Sequence, residues 1–543
     1  MSVTETPKET TCRNPANGEQ IGVSPLHTIE ELSAAIDRAR QAQAAWTLTP
    51  VKERAAAIRR VRDLIAQRAD ELAETISRDN GKTLTDALAT EVLPAAMAAD
   101  YYAKNAAKFL KDRRIKPASV LLGNKKSRIH RVPYGVVGVI SPWNYPLAIP
   151  FSEVVMALLA GNGVILKVAT QTQLVGQAIE TLFTDAGLPD GVFNYVNLPG
   201  RVAGDAFLEQ GVDKLFFTGS VGVGKQLMAK AAESLTPLVL ELGGNDAMLV
   251  CPDANLIRAA GGAVWAGLQN AGQSCGGVER IYVHTDVYEE FLERLAEQVR
   301  RLRVGCDTDD YSIDRGGVPT PEQAQTVREH VDEAVAAGAV VYAESGLPEG
   351  AAETFLPARV VTGVDHSMRI MREETFGPVL AVMKVDNMDE AVVLSNDSNL
   401  GLTASVWSRS RSDADQLARQ IQAGVVTVND HLMSHGLAET PWGGFKQSGI
   451  GRTHGQLGFD EMTQVQCIVH DNLGFLNRNF WWPPYGPEVY AGLRGLIDLL
   501  YRKGIGRRCS GLVRLAKVLP RTWKLPSRPA IESEVTMDRL VIC

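Results

Sequence analysis

The 543-residue chain carries 56 Lys+Arg against 63 Asp+Glu, a formal net charge of −7, with 45% hydrophobic and 22% charged residues. This balance excludes a disordered chain and a globally basic nucleic-acid binder, and at roughly 150 residues per domain it allows about two to four domains. Seven cysteines without metal-like clustering argue against a disulfide framework and predict a reducing, cytoplasmic setting with thiol chemistry.

The polar opening MSVTETPKETTCRNPANGEQ lacks the apolar run of a secretory signal. Ala, Leu, Ile and Arg at helical spacing predict helices over 29–45 and 51–80, the second closed by Gly81. The uncharged stretch 134–152 approaches transmembrane length, but Pro142, Pro146 and Pro150 break it, so a strand, a loop and a helix start are expected there. From Val132, the apolar runs GVVGVI, GVILKV, FNYVNL, KLFFTG and LVLEL alternate with amphipathic helices such as 173–186 and 222–233. Such alternation predicts a parallel sheet with helices on both faces. A second β/α series spans 246–444, with strands at 281–283, 340–343, 379–385 and 424–429. After Leu473 an aromatic cluster (Phe480, Trp481, Trp482, Tyr485) precedes a helix over 488–503. Its apolar stripe is Val489, Leu493, Leu496, Ile497 and Leu500, its charged ladder Arg494, Asp498 and Arg502, and basic residues continue to Arg528.

Several positions carry chemistry. Gly219, Gly222 and Gly224 follow the strand KLFFT and open a helix, so backbone N–H groups can approach a phosphate there; a plain β-α turn reads equally well. Glu241 ends the strand LVLEL before Gly243 and Gly244 and reads as a ribose ligand, a capping carboxylate or a general base. Cys275 precedes two glycines, an open loop suited to a nucleophile whose oxyanion needs donors, although a lone cysteine is more often a small buried hydrophobe. Asn144 sits just past an apolar strand between prolines, as a turn former or an oxyanion donor. His431 and His435 have the spacing of a zinc pair, but the acid of H-E-x-x-H is missing and Gly436 follows, so no metal site is expected.

In this order, SPWNYP (141–146), GNGVILK (161–167), FTGSVGVG (217–224), LELGGN (240–245), GQSC (272–275), EETFGPV (373–379), GLTASVW (401–407) and PWGGFKQSGIGR (441–452) resemble the aldehyde dehydrogenase superfamily. The resemblance runs from about Arg13 to Val469. It implies an α/β fold: a Rossmann-like parallel-sheet cofactor domain (1–117 and 135–243), an α/β catalytic domain (244–458) and a small β oligomerisation element (118–134 and 459–470). Residues 471–543 form an amphipathic, basic extension beyond it. The resemblance further implies Cys275 as nucleophile, Glu241 as general base and Asn144 as oxyanion donor, which overrules Glu241 as a ribose ligand. Lys167 would hold the adenosine ribose, Gly219, Ser220 and Gly224 the pyrophosphate, Glu374 the nicotinamide ribose, and Trp143, Thr170 and Phe376 would complete the cofactor site.

Three departures stand out. Thr170 replaces a carboxylate that repels a 2′-phosphate, so NADP joins NAD as an expected cofactor. Asn245 replaces a common Lys, for which there is no physical account. Thr453, His454 and Gly455 look closer to fatty and aromatic aldehyde dehydrogenases and favour an apolar aldehyde.

The expected reaction is aldehyde oxidation to the free acid in a homodimer or homotetramer. Succinate semialdehyde is the alternative substrate; a CoA-acylating enzyme and a non-catalytic relative rank lower. The tail has two readings, an arm on the enzyme's own surface over a tunnel mouth and a membrane-surface anchor, with the first preferred.

Overall fold

The computed structural model describes residues 8–307 and 310–524. They fall into two units: the chain up to Lys111 with Arg131–Gln464, and Asp112–His130 with the chain from Val465. The outer parts of the expected domains, 1–7 and 525–543, and the basic position Arg528 lie outside the described residues.

The first unit holds both expected β/α series. Its six-stranded sheet runs Gly449–Ile450, Leu238–Glu241, Lys214–Thr218, Val136–Ile140, Gly163–Lys167, Phe193–Tyr195; all strands but the first edge are parallel. The seven-stranded sheet runs Val340–Glu344, Arg359–Thr362, Val379–Val385, Val278–His284, Asp246–Val250, Thr403–Trp407, Val425–Val428, with only the Val340–Glu344 edge antiparallel. Parallel strands need both faces covered, which explains why Val136–Ile140, Gly163–Lys167 and Lys214–Thr218 are buried at every position. The helix Ala148–Ala160 is buried all round as well, so it is core rather than a surface helix. Each large aliphatic side chain buried in this way contributes about 1.5–3 kcal/mol.

The register places the site. Ile140 lies opposite Lys167, and Thr218 opposite Glu241, at the carboxyl ends of four parallel strands. The loops that leave these ends carry Ser141–Asn144, Val168–Thr170 and Gly219–Ser220, and a ligand crevice in an open α/β sheet lies at this edge.

Two helices differ from expectation. The stretch 51–80 is two helices, Val51–Gln67 and Ala69–Asn80, separated at Arg68 (φ −110°, ψ 26°). Asp70 and Glu71 favour a fresh helix start because they lie in a first turn. Gly81 closes the second helix in the left-handed region, as expected. The helix Leu93–Phe109 was not expected, although Pro94 in its first turn and the buried spacing of Ala95, Ala98, Ala99, Tyr102 and Ala106 mark it.

The second unit contains most of the three-stranded sheet Thr463–Asp471, Lys125–Pro133, Arg113–Ile115 and a helical hairpin, Pro487–Tyr501 and Ile505–Val518. The first helix forms where expected and its Arg494–Asp498–Arg502 ladder closes, but the expected stripe is covered only in part, at Val489 and at the half-buried Leu496. Val489, Gly492, Gly495 and Asp498 are buried, while Leu493 and Ile497 of the expected stripe are exposed. Glycine lets the two helices touch: a Cβ on Gly495 would lie 2.6 Å from the Gly511 carbonyl oxygen. Among the described residues, no helix is long and apolar enough to cross a membrane.

Candidate functional site

The loop after Val136–Ile140 is pinned from below. The Ser141 N–H donates to the Lys167 carbonyl (2.9 Å). The Asn144 carbonyl accepts from Lys82 Nζ and Asn270 Nδ2, both at 2.9 Å. Lys82 pairs with Glu91 at 2.6 Å, both side chains fully shielded, and Glu91 Oε2 accepts the Leu147 and Ala148 N–H groups at 2.9 Å. Asn80 Nδ2 donates to the Trp143 carbonyl (2.6 Å). None of Asn80, Lys82 or Glu91 stands out in the sequence, since each partner lies in another element. Glu91→Gln is expected to cost about 3–5 kcal/mol of stability in urea denaturation, because it leaves the Lys82 ammonium buried without a counter-charge.

Cys275 sits on a bent loop. Asn270, Ala271 and Gly272 are consecutively left-handed (φ 48°, 54° and 73°), a conformation costly for the first two. Three contacts hold it: the Asn270 N–H to Asp86 Oδ2 (2.9 Å), Gln273 Nε2 to the Asn270 carbonyl (2.8 Å), and Asn144 Nδ2 to the Gln273 carbonyl (3.0 Å). Just past the thiol, His431 Nε2–H donates to the Gly276 carbonyl (3.0 Å) and its Nδ1 accepts from the Ser405 hydroxyl (2.7 Å). Burial drives this imidazole down to about 4, so it is neutral and fixed in one tautomer. His431 therefore braces the backbone beside Cys275. Desolvation, and then the Glu374 carboxylate, push the Cys275 thiol well above its ordinary range.

Glu241 ends its strand buried, and among the described residues neither carboxylate oxygen has a hydrogen bond. Burial, and then Glu153, raise it well above an ordinary carboxyl. Glu153 is itself raised to about 8 by burial. Glu153, Glu241, Cys275, His435 and His454 line one small cavity.

The cofactor candidates form a second wall. Trp143 and Phe376 meet edge to face, ring centroids 5.4 Å apart. Phe376 is left-handed (φ 51°), and its N–H and that of Thr375 both donate to Glu279, at 2.7 and 3.0 Å. Glu374 Oε1 accepts the Gly244 N–H (3.1 Å). The Gly219 N–H donates to the Glu241 carbonyl (3.0 Å), and Ser220 caps the helix that begins at Val221. A Cβ on Gly219 would lie 2.5 Å from the Phe217 ring, so the open approach to that helix end needs glycine.

Asn144, Glu241 and Cys275 line one cavity of about 280 Å³ together with Trp143, Gly219, Ser220, Glu374 and Phe376. Lys167, Thr170 and Gly224 do not line it. Lys167 is buried at its strand end without a hydrogen bond or ion pair among the described residues, and burial lowers its ammonium to about 8. Thr170 is exposed, and Gly224 packs against Leu242 one turn into its helix. Cys275 also lines a narrow pocket with Tyr145, Ile149, Trp265, Leu432, Met433 and Trp442, and among the described residues none that lines it is Lys or Arg. Cys275 is the residue these two cavities share.

Residues 3–468 match the model of the Aldehyde dehydrogenase family. The chain is 40% identical to a Mycolicibacterium smegmatis protein named "Putative succinate-semialdehyde dehydrogenase (NADP+)" over 86% of this chain and 89% of that one. It is 37% identical to a Methylomonas protein named 4,4'-diapolycopene aldehyde oxidase over 90% of each. Among solved structures, the NAD+ complex of an aldehyde dehydrogenase from Bacillus cereus aligns with a TM-score of 0.80 at 32% identity, covering 86% of this chain and 93% of that one. The chain belongs to the aldehyde dehydrogenase family and is an NAD(P)-dependent oxidoreductase acting on aldehydes.

Proposed function

We propose that the enzyme oxidises an apolar aliphatic or aromatic aldehyde to its free acid through a thioester on Cys275. The observation that carries this is Cys275 standing between a cation-free apolar pocket and the cavity with Trp143, Glu374 and Phe376.

NAD(P) suits the residues present: the glycine-lined helix end at Val221 offers N–H groups to a pyrophosphate, and Lys167 is a buried ammonium in want of a partner. Lys167, Gly219, Ser220, Gly224, Glu374 and Phe376 would hold it, with Trp143 and Thr170 at the edges. When bound, NAD(P) takes up the hydride that leaves the former aldehyde carbon. The Cys275 thiolate attacks the aldehyde carbon and gives a thiohemiacetal oxyanion. Asn144 Nδ2 has two N–H groups and gives one to Gln273, which leaves the other for that oxyanion. A donor of this kind is worth about 3 kcal/mol. Loss of the hydride leaves a thioester, and Glu241 takes a proton from the water that hydrolyses it. A base held for water favours the free acid over transfer to CoA.

In this reading 1–117 and 135–243 bind the cofactor and 244–458 carry the thiol. Residues 118–134 and 459–470 would pair with a second copy in a homodimer or homotetramer, a role supported by the exposure of Thr463–Asp471 along most of its length.

The relatives' names point two ways. A succinate semialdehyde carries a carboxylate that calls for a cation, and the pocket lining has none; burial also lowers His435 to about 4, so it is neutral. A hydrocarbon-chain aldehyde fits the lining better. In an aldehyde panel run with NAD and with NADP, kcat/KM for hexanal or benzaldehyde is expected to exceed that for succinate semialdehyde by about tenfold or more, since an unpaired buried carboxylate is costly. NADP should support turnover, because no carboxylate occupies position 170. The reverse substrate order would move the substrate assignment to the semialdehyde.

A further inference from the structure

The helical hairpin of the second unit has a small interior and leaves many large apolar side chains exposed. Its interior is Gly492, Gly495 and Gly511, a small core of Phe480, Val489 and Val518, and one buried carboxylate. That carboxylate, Asp498, binds Arg494 (3.2 Å), Arg502 (3.3 Å) and Arg514 (3.6 Å). Leu496 and Leu515 pack against that core, but other large apolar side chains of both helices point outward. On Pro487–Tyr501 the exposed positions Tyr490, Leu493, Ile497 and Tyr501 follow helical spacing, i, i+3, i+7 and i+11. On Ile505–Val518 and the turn after it, Ile505, Cys509, Leu512, Ala516 and Leu519 do the same. Ile505 is 83% exposed and Tyr501 75%.

Two further features accompany these stripes. Trp482, Tyr485 and Trp523 are exposed in the same unit. Between Phe475 and Lys524 there are ten Lys or Arg and two Asp or Glu, one of them the buried Asp498, in a chain whose net charge is −7. Positive charge is thus gathered where exposed apolar and aromatic side chains are gathered. Helices with outward apolar stripes and a basic surround lie in the plane of a bilayer interface, tryptophan and tyrosine settle at headgroup depth, and each Lys or Arg is drawn to anionic lipid.

We propose that the hairpin 487–518 is a docking surface for an anionic lipid bilayer, holding the enzyme as a peripheral membrane protein. Charge complementarity selects this occupant over a second copy, because two copies would bring two strongly positive surfaces together. The proposal reverses the preference for a tail that merely covers the enzyme's own surface.

The test is co-sedimentation of the full-length enzyme with phosphatidylcholine vesicles, with and without about 30 mol% phosphatidylglycerol. Binding is expected only with the anionic lipid and should weaken about tenfold or more as salt rises from about 0.05 to 0.5 M. The double substitution Ile497→Asp and Leu512→Asp, at two exposed positions, should lower partitioning at least tenfold while oxidation of a short aldehyde in solution stays unchanged. Arg507→Gln with Arg508→Gln should weaken binding and flatten its salt dependence. Failure to bind anionic vesicles overturns the proposal, as does binding that the Asp pair leaves unaltered. A loss of oligomer mass by light scattering in the Asp pair, without vesicle binding in the wild type, would assign the stripes to a second copy instead.

Discussion

Cys275→Ala is expected to lower kcat by at least about 10³-fold while leaving NAD(P) binding intact, measured by steady-state oxidation and by cofactor fluorescence titration. The thiol is the group shared by the apolar pocket and the cofactor-side cavity, so no neighbouring side chain can substitute for it. The same environment sets a pH signature. Desolvation and the Glu374 carboxylate raise this thiol, and only the thiolate is nucleophilic. Alkylation of Cys275 by iodoacetamide should therefore be slow at neutrality and rise about tenfold per pH unit below the thiol's raised pKa. Retention of more than a few per cent of kcat in the alanine enzyme would remove Cys275 from the mechanism.

The second large effect is at Glu241. Glu241→Gln should still release one equivalent of NAD(P)H in a burst and then stall as the thioester, with steady-state turnover down by about 10²–10⁴-fold. Loss of burst and steady state together would place Glu241 before hydride transfer. Stability should move the other way. The folded-state carboxyl is raised above its unfolded value, so the folded chain holds the proton more tightly between the two. Stability from this group is then highest below the unfolded value and falls as pH rises through the window up to the folded value. Glu241→Gln removes that loss: its melting temperature should exceed the wild type's at pH 8 and approach it near pH 4. A buried carboxylate proposed as the general base is thus held at a cost to the fold, in keeping with two oxygens that have no hydrogen bond among the described residues.

The catalytic candidates were legible because their signals are local. Asn144 and Glu241 close apolar strand runs, Cys275 precedes two glycines, and parallel register brings such ends to one edge. The brace around them was not legible. Glu279 holds Thr375 and Phe376 from 96 and 97 positions away, Lys82 reaches Asn144 across 62, and His431 reaches Gly276 across 155. A bond between distant positions leaves no mark in either segment alone. In the tail the helical period was read correctly and the covered face only in part: Val489 and Leu496 are covered, Leu493 and Ile497 are not. Periodicity says which residues share a face, never which face is covered; Gly492 and Gly495 were the available sign, because glycines three apart on a helix permit close contact with a second one.

The carboxylate of Glu279 stands four positions past Cys275 and clasps the backbone of Phe376, and a Cβ on Gly272 would lie 2.1 Å from the Gly377 carbonyl oxygen. The segment that bears the thiol and the segment that bears the aromatic wall are thus joined by a carboxylate on backbone N–H groups and by a close approach that only glycine allows. Neither contact involves Trp265, Leu432 or Met433, which line the apolar pocket beside the thiol. If that pocket takes the aldehyde as proposed, substitutions at those three side chains should change which aldehyde is accepted while both contacts stay in place.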